Sequence, residues 1–355
     1  MYSEITRPSR IEMMRKAPRK IRKSLTTRRG FIAFSAIGLA ALLPAAYIVV
    51  RELTPEGNDA EEDTTAGWRK YKSNPVLGGW LGTCFDVGVL KEDGVYRMWF
   101  SWRPRRSIAL VESEDGINWS EPVIILGPNL ATGWEEGVNR PGVIRLADGY
   151  KLWYTGQARG RSWIGYATSA DGRSFQRRSE RPVLEANAPW EKGAVMCPHV
   201  LYDQSNRVFR MWYSGGEQYE PNAIGYATSR DGLVWTKDPD NPIFVPDPKN
   251  AWEKDRVTAC QVIDYGDWHL MFYIGFSSAS HAQIGAARSR DGVRDWKRHA
   301  ANPIIRPSNN GWDKDAVYKP YAILDGNRWL MWYNGRRGKA ETIGLAIHDG
   351  ADLGF

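Results

Sequence analysis

The chain has 355 residues, with 48 Lys and Arg against 41 Asp and Glu, a formal charge of +7, and 42% hydrophobic residues. Residues 1–51 carry 11 of the basic residues against 2 Glu, a local charge of +9, which leaves the remainder at −2. The basicity belongs to the leader, so the composition excludes a basic nucleic-acid-binding domain, while the rest of the chain is long enough for one domain with a sizeable core.

In chain order, the first segment, residues 1–30, is basic and ends in Thr27-Arg28-Arg29-Gly30, directly followed by Phe31-Ile32. The apolar run Phe31–Val50 follows. Twin arginines ahead of a hydrophobic segment resemble the twin-arginine export signal, an address read by a receptor. A run of roughly 20 apolar residues also suffices to span a bilayer, and no Ala-x-Ala cleavage site stands out. Residues 31–50 are therefore expected to be a signal or a membrane anchor, with an ordinary signal anchor bearing a chance Arg-Arg as the alternative. This implies the twin-arginine export machinery as a partner. It also implies a periplasmic or extracellular domain, anchored to the inner membrane if residues 31–50 stay uncleaved. Residues 51–66, with Glu52 and Glu61-Glu62-Asp63, read as an acidic linker.

From residue 67 to 355 one pattern recurs five times: an Ile-Gly-Tyr-Ala-Thr-Ser-like strand, Asp-Gly, an aromatic, then Asn-Pro and two aliphatics. The Asp-Gly steps begin at Asp115, Asp171, Asp231, Asp291 and Asp349, at spacings of 56, 60, 60 and 58 residues. A fixed period of this size marks a repeat architecture. Each unit holds four strand-like runs, in the third Val195–Asp203, Phe209–Ser214, Ala223–Ser229 and Asn241–Val245, rich in aromatic and β-branched residues. Asp-Gly joins the third and fourth runs in a tight hairpin. Four strands per unit and five units predict an all-β, five-bladed β-propeller. The last repeat lacks its fourth strand, and Trp68…Asn74-Pro75-Val76-Leu77 matches Trp235…Asn241-Pro242-Ile243-Phe244. The N-terminal strand is thus expected to close the last blade and hide the sheet edges. Cys84, Cys197 and Cys260 fall in the first strands of blades one, three and four; their odd number argues against a disulfide framework, with a Cys197–Cys260 bridge left open. No His/Cys spacing reads as a zinc site, and neither metal nor cofactor is predicted.

The repeats, the Ser-x-Asp-Gly-x-x-Trp turns (complete at Ser229…Trp235) and the Asn-Pro-Ile/Val run, over 68–355, resemble the five-bladed propeller glycoside hydrolases of families 43, 32, 62, 68 and 117. The resemblance implies a funnel lined by three carboxylates: a base or nucleophile in blade one, a supporting Asp in blade two and an acid Glu in blade three. Asp86 stands at the first position, within Phe-Asp-Val. At the second the chain has Asn139-Arg140-Pro141 instead of Arg-Asp-Pro, and at the third Met196-Cys197-Pro198 instead of Glu-Cys-Pro.

In a propeller, the loops into strand one and those joining strands two and three open on one face, the default ligand site. Asp86 is the expected base or nucleophile, held ionised by Arg140. Glu217 is the expected acid, because its loop rises from blade three, with Glu136 or Glu220 in reserve; His199 is the alternative acid/base or else a wall residue. The rim is basic, and Arg forks suit carboxylate, sulfate or phosphate. Asn139, Arg140, Arg105, Arg159, Arg161, Gln261, Tyr318, Lys319 and Arg336 are therefore the substrate-binding candidates, with Trp102, Trp163 and Tyr219 as stacking surfaces. Glu135, Glu191, Glu253 and Asp313, repeated after Trp in four blades, read as scaffold. The expectation is hydrolysis of an acidic extracytoplasmic polysaccharide or oligosaccharide by carboxylate acid/base chemistry. The alternative is a non-catalytic glycan-binding propeller.

Overall fold

The computed structural model describes residues 63–217 and 221–355. The basic segment expected to direct export, the apolar run and nearly all of the acidic linker, as well as Tyr219 and Glu220, lie outside the described residues. Among the described residues no helix is long and apolar enough to cross a membrane.

The described residues form five four-stranded antiparallel sheets. Blade one runs Cys84–Glu92, Val95–Trp102, Ser107–Ser113 and Val123–Leu126; blade two Gly137–Leu146, Gly149–Ala158, Arg161–Ser169 and Gln176–Arg177. Blade three runs Val195–Asp203, Val208–Gly216, Pro221–Ser229 and Thr236–Lys237; blade four Arg256–Tyr265, Trp268–Ser278, His281–Ser289 and Lys297–Arg298. Blade five is Ala316–Asp325, Arg328–Arg337 and Ala340–Asp349, with Trp68–Lys70 as its outer strand. The first strands touch in succession, and blade five's returns to blade one's, which closes the ring.

The repeated residues explain the ring. The second-strand tryptophans are fully buried, and each indole N–H donates to the glycine carbonyl of the next blade's Asp-Gly turn. Trp99 reaches Gly172, Trp153 reaches Gly232, Trp212 reaches Gly292, and Trp332 reaches back to Gly116 in blade one; blade four carries Phe272 at this position instead. In that turn only the glycine takes positive φ, for instance 74° at Gly116. The aspartate acts through its side chain: Asp115 Oδ1 accepts the amides of Ile117 and Asn118 at 2.9 and 2.8 Å.

The scaffold acids behave as expected, with partners that spacing alone did not identify. Glu135, Glu191, Glu253 and Asp313 are fully buried. Each accepts the hydroxyl of the second-strand tyrosine: Tyr154, Tyr213, Tyr273 and Tyr333 respectively. Each also pairs with a base from the outer strand: Arg177, Lys237, Arg298 and, in blade five, Lys70. Lys70 takes that place because the N-terminal strand stands where a fourth strand would.

The outer edge differs from the expectation. In blade three the fourth strand is Thr236–Lys237, and Asn241–Val245 follows along the same edge, with only an isolated bridge between Phe244 and Ile224. Pro242 has no N–H to give the ladder, so the Asn241 side chain stands in for the backbone. Its Oδ1 accepts the Tyr226 amide at 2.8 Å and its Nδ2 donates to the Tyr226 carbonyl at 2.8 Å. Asn302 does the same to Ala286, and Asn74 to Leu345.

Candidate functional site

Each first strand breaks register once, at the same height. The breaks lie between Phe85 and Gly88, Asn139 and Gly142, Met196 and His199, Thr258 and Gln261, and Tyr318 and Tyr321. Inside each lies one residue at positive φ: Asp86 at 51°, Arg140 at 55°, Cys197 at 54°, Ala259 at 47° and Lys319 at 51°. Bulges commonly re-aim side chains beside active sites. Four of the five are held by a side chain from the preceding blade's second strand. The Asp86 amide donates to Asn334 Oδ1 (3.0 Å), Arg140 to Ser101 Oγ (2.8 Å), Cys197 to Thr155 Oγ1 (3.1 Å) and Ala259 to Ser214 Oγ (2.8 Å).

These bulges meet at a cavity of about 290 Å³ to which every blade contributes, through Asp86, Arg140, Cys197, Ala259 and Tyr318 among others. Asp86 is 5% exposed, and its Oδ2 lies 3.3 Å from Arg140 Nε without hydrogen-bonding geometry. Burial pushes the Asp86 carboxyl above its ordinary range and outweighs the opposing pull of Arg140 and then Lys319. This overturns the expectation that Arg140 sets the carboxylate's ionisation: the cost of desolvating the charge is the larger effect.

The second carboxylate of this cavity is Glu341, which the sequence reading missed. It opens blade five's third strand, just past the rim loop Arg336–Lys339, and its Oε2 lies 3.0 Å from Arg103 Nη2. Burial, and next Glu341, push the Tyr318 hydroxyl well above its usual value. Glu217 is not brought to Asp86. Its side chain is 59% exposed, pairs with Lys192 at 3.3 Å and does not line the cavity.

His199 is a wall residue: its Nε2 donates to the Val262 carbonyl at 2.7 Å, and burial, then Lys319, lower its pKa to about 4. It is neutral across the physiological range and supplies no proton there. Gln261 is likewise used by the scaffold, since its amide exchanges bonds of 2.9 and 2.6 Å with the Ala322 backbone of blade five. Arg140, Tyr318 and Arg336 line the cavity, and Arg336 also donates to the Ser280 carbonyl. Lys319 is 3% exposed and close enough to Asp86, Cys197 and His199 to act on all three electrostatically. Asn139 and Arg159 line an adjoining groove with Trp102 and Glu136. Arg105 and Arg161 line neither space; Arg105 lies over the Trp102 ring. Cys84, Cys197 and Cys260 are free, buried thiols.

The Asp86 environment has a consequence for stability. Below about pH 4 the carboxyl is protonated whether the chain is folded or not. Above that, the unfolded chain releases the proton more readily than the folded one, so stability is lost as pH rises through the raised folded value. Asp86→Asn is expected to raise the thermal midpoint at neutral pH, with a gain that fades towards pH 4; a lowered midpoint at neutral pH contradicts this.

No protein-family profile matches the chain. The uncharacterized proteins MT1551 and Rv1502, from two strains of Mycobacterium tuberculosis, are each 28% identical to it over 72% of this chain and 89% of their own length. Among solved structures, a thermostable family-43 glycoside hydrolase superposes with a TM-score of 0.63 at 20% identity, covering 77% of this chain and 91% of its own. A glycosyl hydrolase from Bacteroides ovatus gives 0.59 at 16% identity over 76% and 84%. A beta-1,2-mannobiose phosphorylase from Listeria innocua, in complex with beta-1,2-mannobiose, gives 0.61 at 15% identity over 79% and 96%. The chain thus shares its five-bladed propeller fold with glycoside hydrolases.

Proposed function

We propose that this domain is an extracytoplasmic, glycosidase-like propeller that takes an acidic sugar chain into the axial cavity and hydrolyses it with Asp86 and Glu341. The carrying observation is that one cavity, on a fold shared with glycoside hydrolases, gathers these two carboxylates with Arg103, Arg140 and Arg336. Glycosidic hydrolysis needs one carboxyl group to protonate the leaving oxygen and one carboxylate to activate water or attack. Asp86, whose burial favours the protonated form, is the donor, the role expected of Glu217; Glu341, paired with Arg103, takes the base or nucleophile role expected of Asp86. The guanidinium groups of Arg140 and Arg336 receive the substrate's carboxylate or sulfate. The twin-arginine leader supports export, and residues 31–50 supply a signal or an anchor to the inner membrane.

A second reading, a non-catalytic glycan-binding propeller, is favoured by one observation. At the five equivalent bulges only Asp86 is acidic, beside Arg140, Cys197, Ala259 and Lys319. A panel of uronate-bearing and sulfated polysaccharides, assayed for binding and for new reducing ends, separates the two. Release of reducing ends supports hydrolysis, binding without release supports the second reading, and neither result on any acidic glycan overturns both.

A further inference from the structure

The axial cavity adjoins a groove of about 550 Å³ between blades one and two. The two spaces share Phe85, Arg103 and Gln157 as walls. The axial cavity alone lies at the lower limit of ordinary ligand sites, roughly 300–1,000 Å³, so a polymeric ligand held there needs a path outward. The groove carries Arg103, Arg106 and Arg159 against a single acid, Glu136. The Arg159 guanidinium is oriented by a 2.7 Å hydrogen bond from its Nη2 to the Gly133 carbonyl, and the wall is braced by a 2.8 Å bond from Asn139 Nδ2 to Gln157 Oε1. At the junction the Arg103 guanidinium lies over the buried Phe85 ring at 4.4 Å, which seats this cation between the two spaces.

We infer that the cavity and the groove form one cleft, in which the unit on the axis is followed by at least one further acidic unit lying beside Arg103 and against Arg106 and Arg159. The ligand is therefore an oligomer read at more than one position, not a single charged sugar. This rests on the reading of the axial cavity as a sugar site. The geometry favours it because Arg106 and Arg159 stand on the two loops that flank the groove, one from each blade, and neither belongs to the axial cavity.

The test is calorimetric binding of α-linked oligogalacturonates and heparin-derived oligosaccharides, from monosaccharide to tetrasaccharide, to the intact domain. Affinity is expected to rise about tenfold or more from the monosaccharide to the trisaccharide, as two charge-assisted contacts are added. The double variant Arg106→Ser, Arg159→Ser, both at exposed positions, is expected to lose that rise, whereas Arg336→Ser weakens binding at every length. Equal affinity at all lengths, or a rise that survives the double substitution, overturns the inference. If Arg336→Ser changes nothing while the groove variant weakens binding, the axial reading fails instead. Failure of every probe to bind at any length removes the axial reading and this inference with it.

Discussion

Asp86→Asn is expected to lower kcat/KM on an unactivated glycoside by about 10²–10⁴-fold, the usual contribution of a positioned general acid, while largely sparing an aryl glycoside whose leaving group departs without a proton. Asp86 is the carboxyl whose burial raises its proton affinity, and a group in that state is suited to give a proton rather than to take one. Glu341→Gln is expected to cost at least as much on both substrates, because it removes the Arg103-paired carboxyl group that activates water or attacks. The contrast between leaving groups, measured side by side, assigns the roles. An Asp86→Asn loss of equal size on both substrates reverses them, and unchanged turnover on the unactivated glycoside removes Asp86 from the chemistry. Activity should also fall on the alkaline side as Asp86 loses its proton, and the Asn variant should lack that limb.

The second large effect lies at the seam of the ring. Lys70 Nζ touches Asp313 and Asp63 at 2.8 Å each, the Ser308 hydroxyl at 2.8 Å and the Arg306 carbonyl at 2.7 Å. Asp313 is fully buried, so Lys70→Ala leaves its carboxylate without its cation. Breaking a buried pair by removing one partner costs about 3–5 kcal/mol. The expected result is a lower urea midpoint with an unchanged slope. Arg69→Ala is the control: its pair with Asp349 is exposed, at 54% and 67% of the side chains, and such pairs contribute about 0–1 kcal/mol. Similar losses in the two variants would contradict a closure that depends on Lys70.

The sequence made the fold legible because a propeller repeats its packing problem. The Asp-Gly turns, the second-strand tryptophans and the Trp-acid steps recur with the blades, and each recurrence is a hydrogen-bond pattern repeated in four of the five blades. The N-terminal closure was legible for the same reason, since Trp68–Lys70 copies the outer strand of blade three. The bulge residues align as well, because the residues around them keep a common register, which sets Asp86, Arg140 and Cys197 at equivalent positions.

The site was less legible, because it depends on features that do not repeat. The Glu217 assignment followed the blade number, yet whether a loop acid reaches the axis is decided by its position along the loop. Glu341, at the end of the corresponding rim loop of blade five, reaches the cavity, and Glu217 pairs with Lys192 at the surface instead. The rim arginines divided likewise. Arg106 adopts positive φ, at 51°, after the tight turn Arg103–Arg105, so adjacent side chains leave in different directions and Arg105 misses the groove. The state of Asp86 was misread because pairing with Arg140 is visible as a motif, whereas the burial that outweighs it is a property of the assembled ring.

The most direct measurement is a crystal structure of the Asp86→Asn variant with a bound acidic oligosaccharide. The account predicts a sugar ring in the axial cavity against Tyr318, its acidic group on Arg140 or Arg336, and the chain leaving past Arg103 towards Arg159. A ligand bound on the opposite face of the ring, or on the outer edges of the blades with the axial cavity empty, would contradict it.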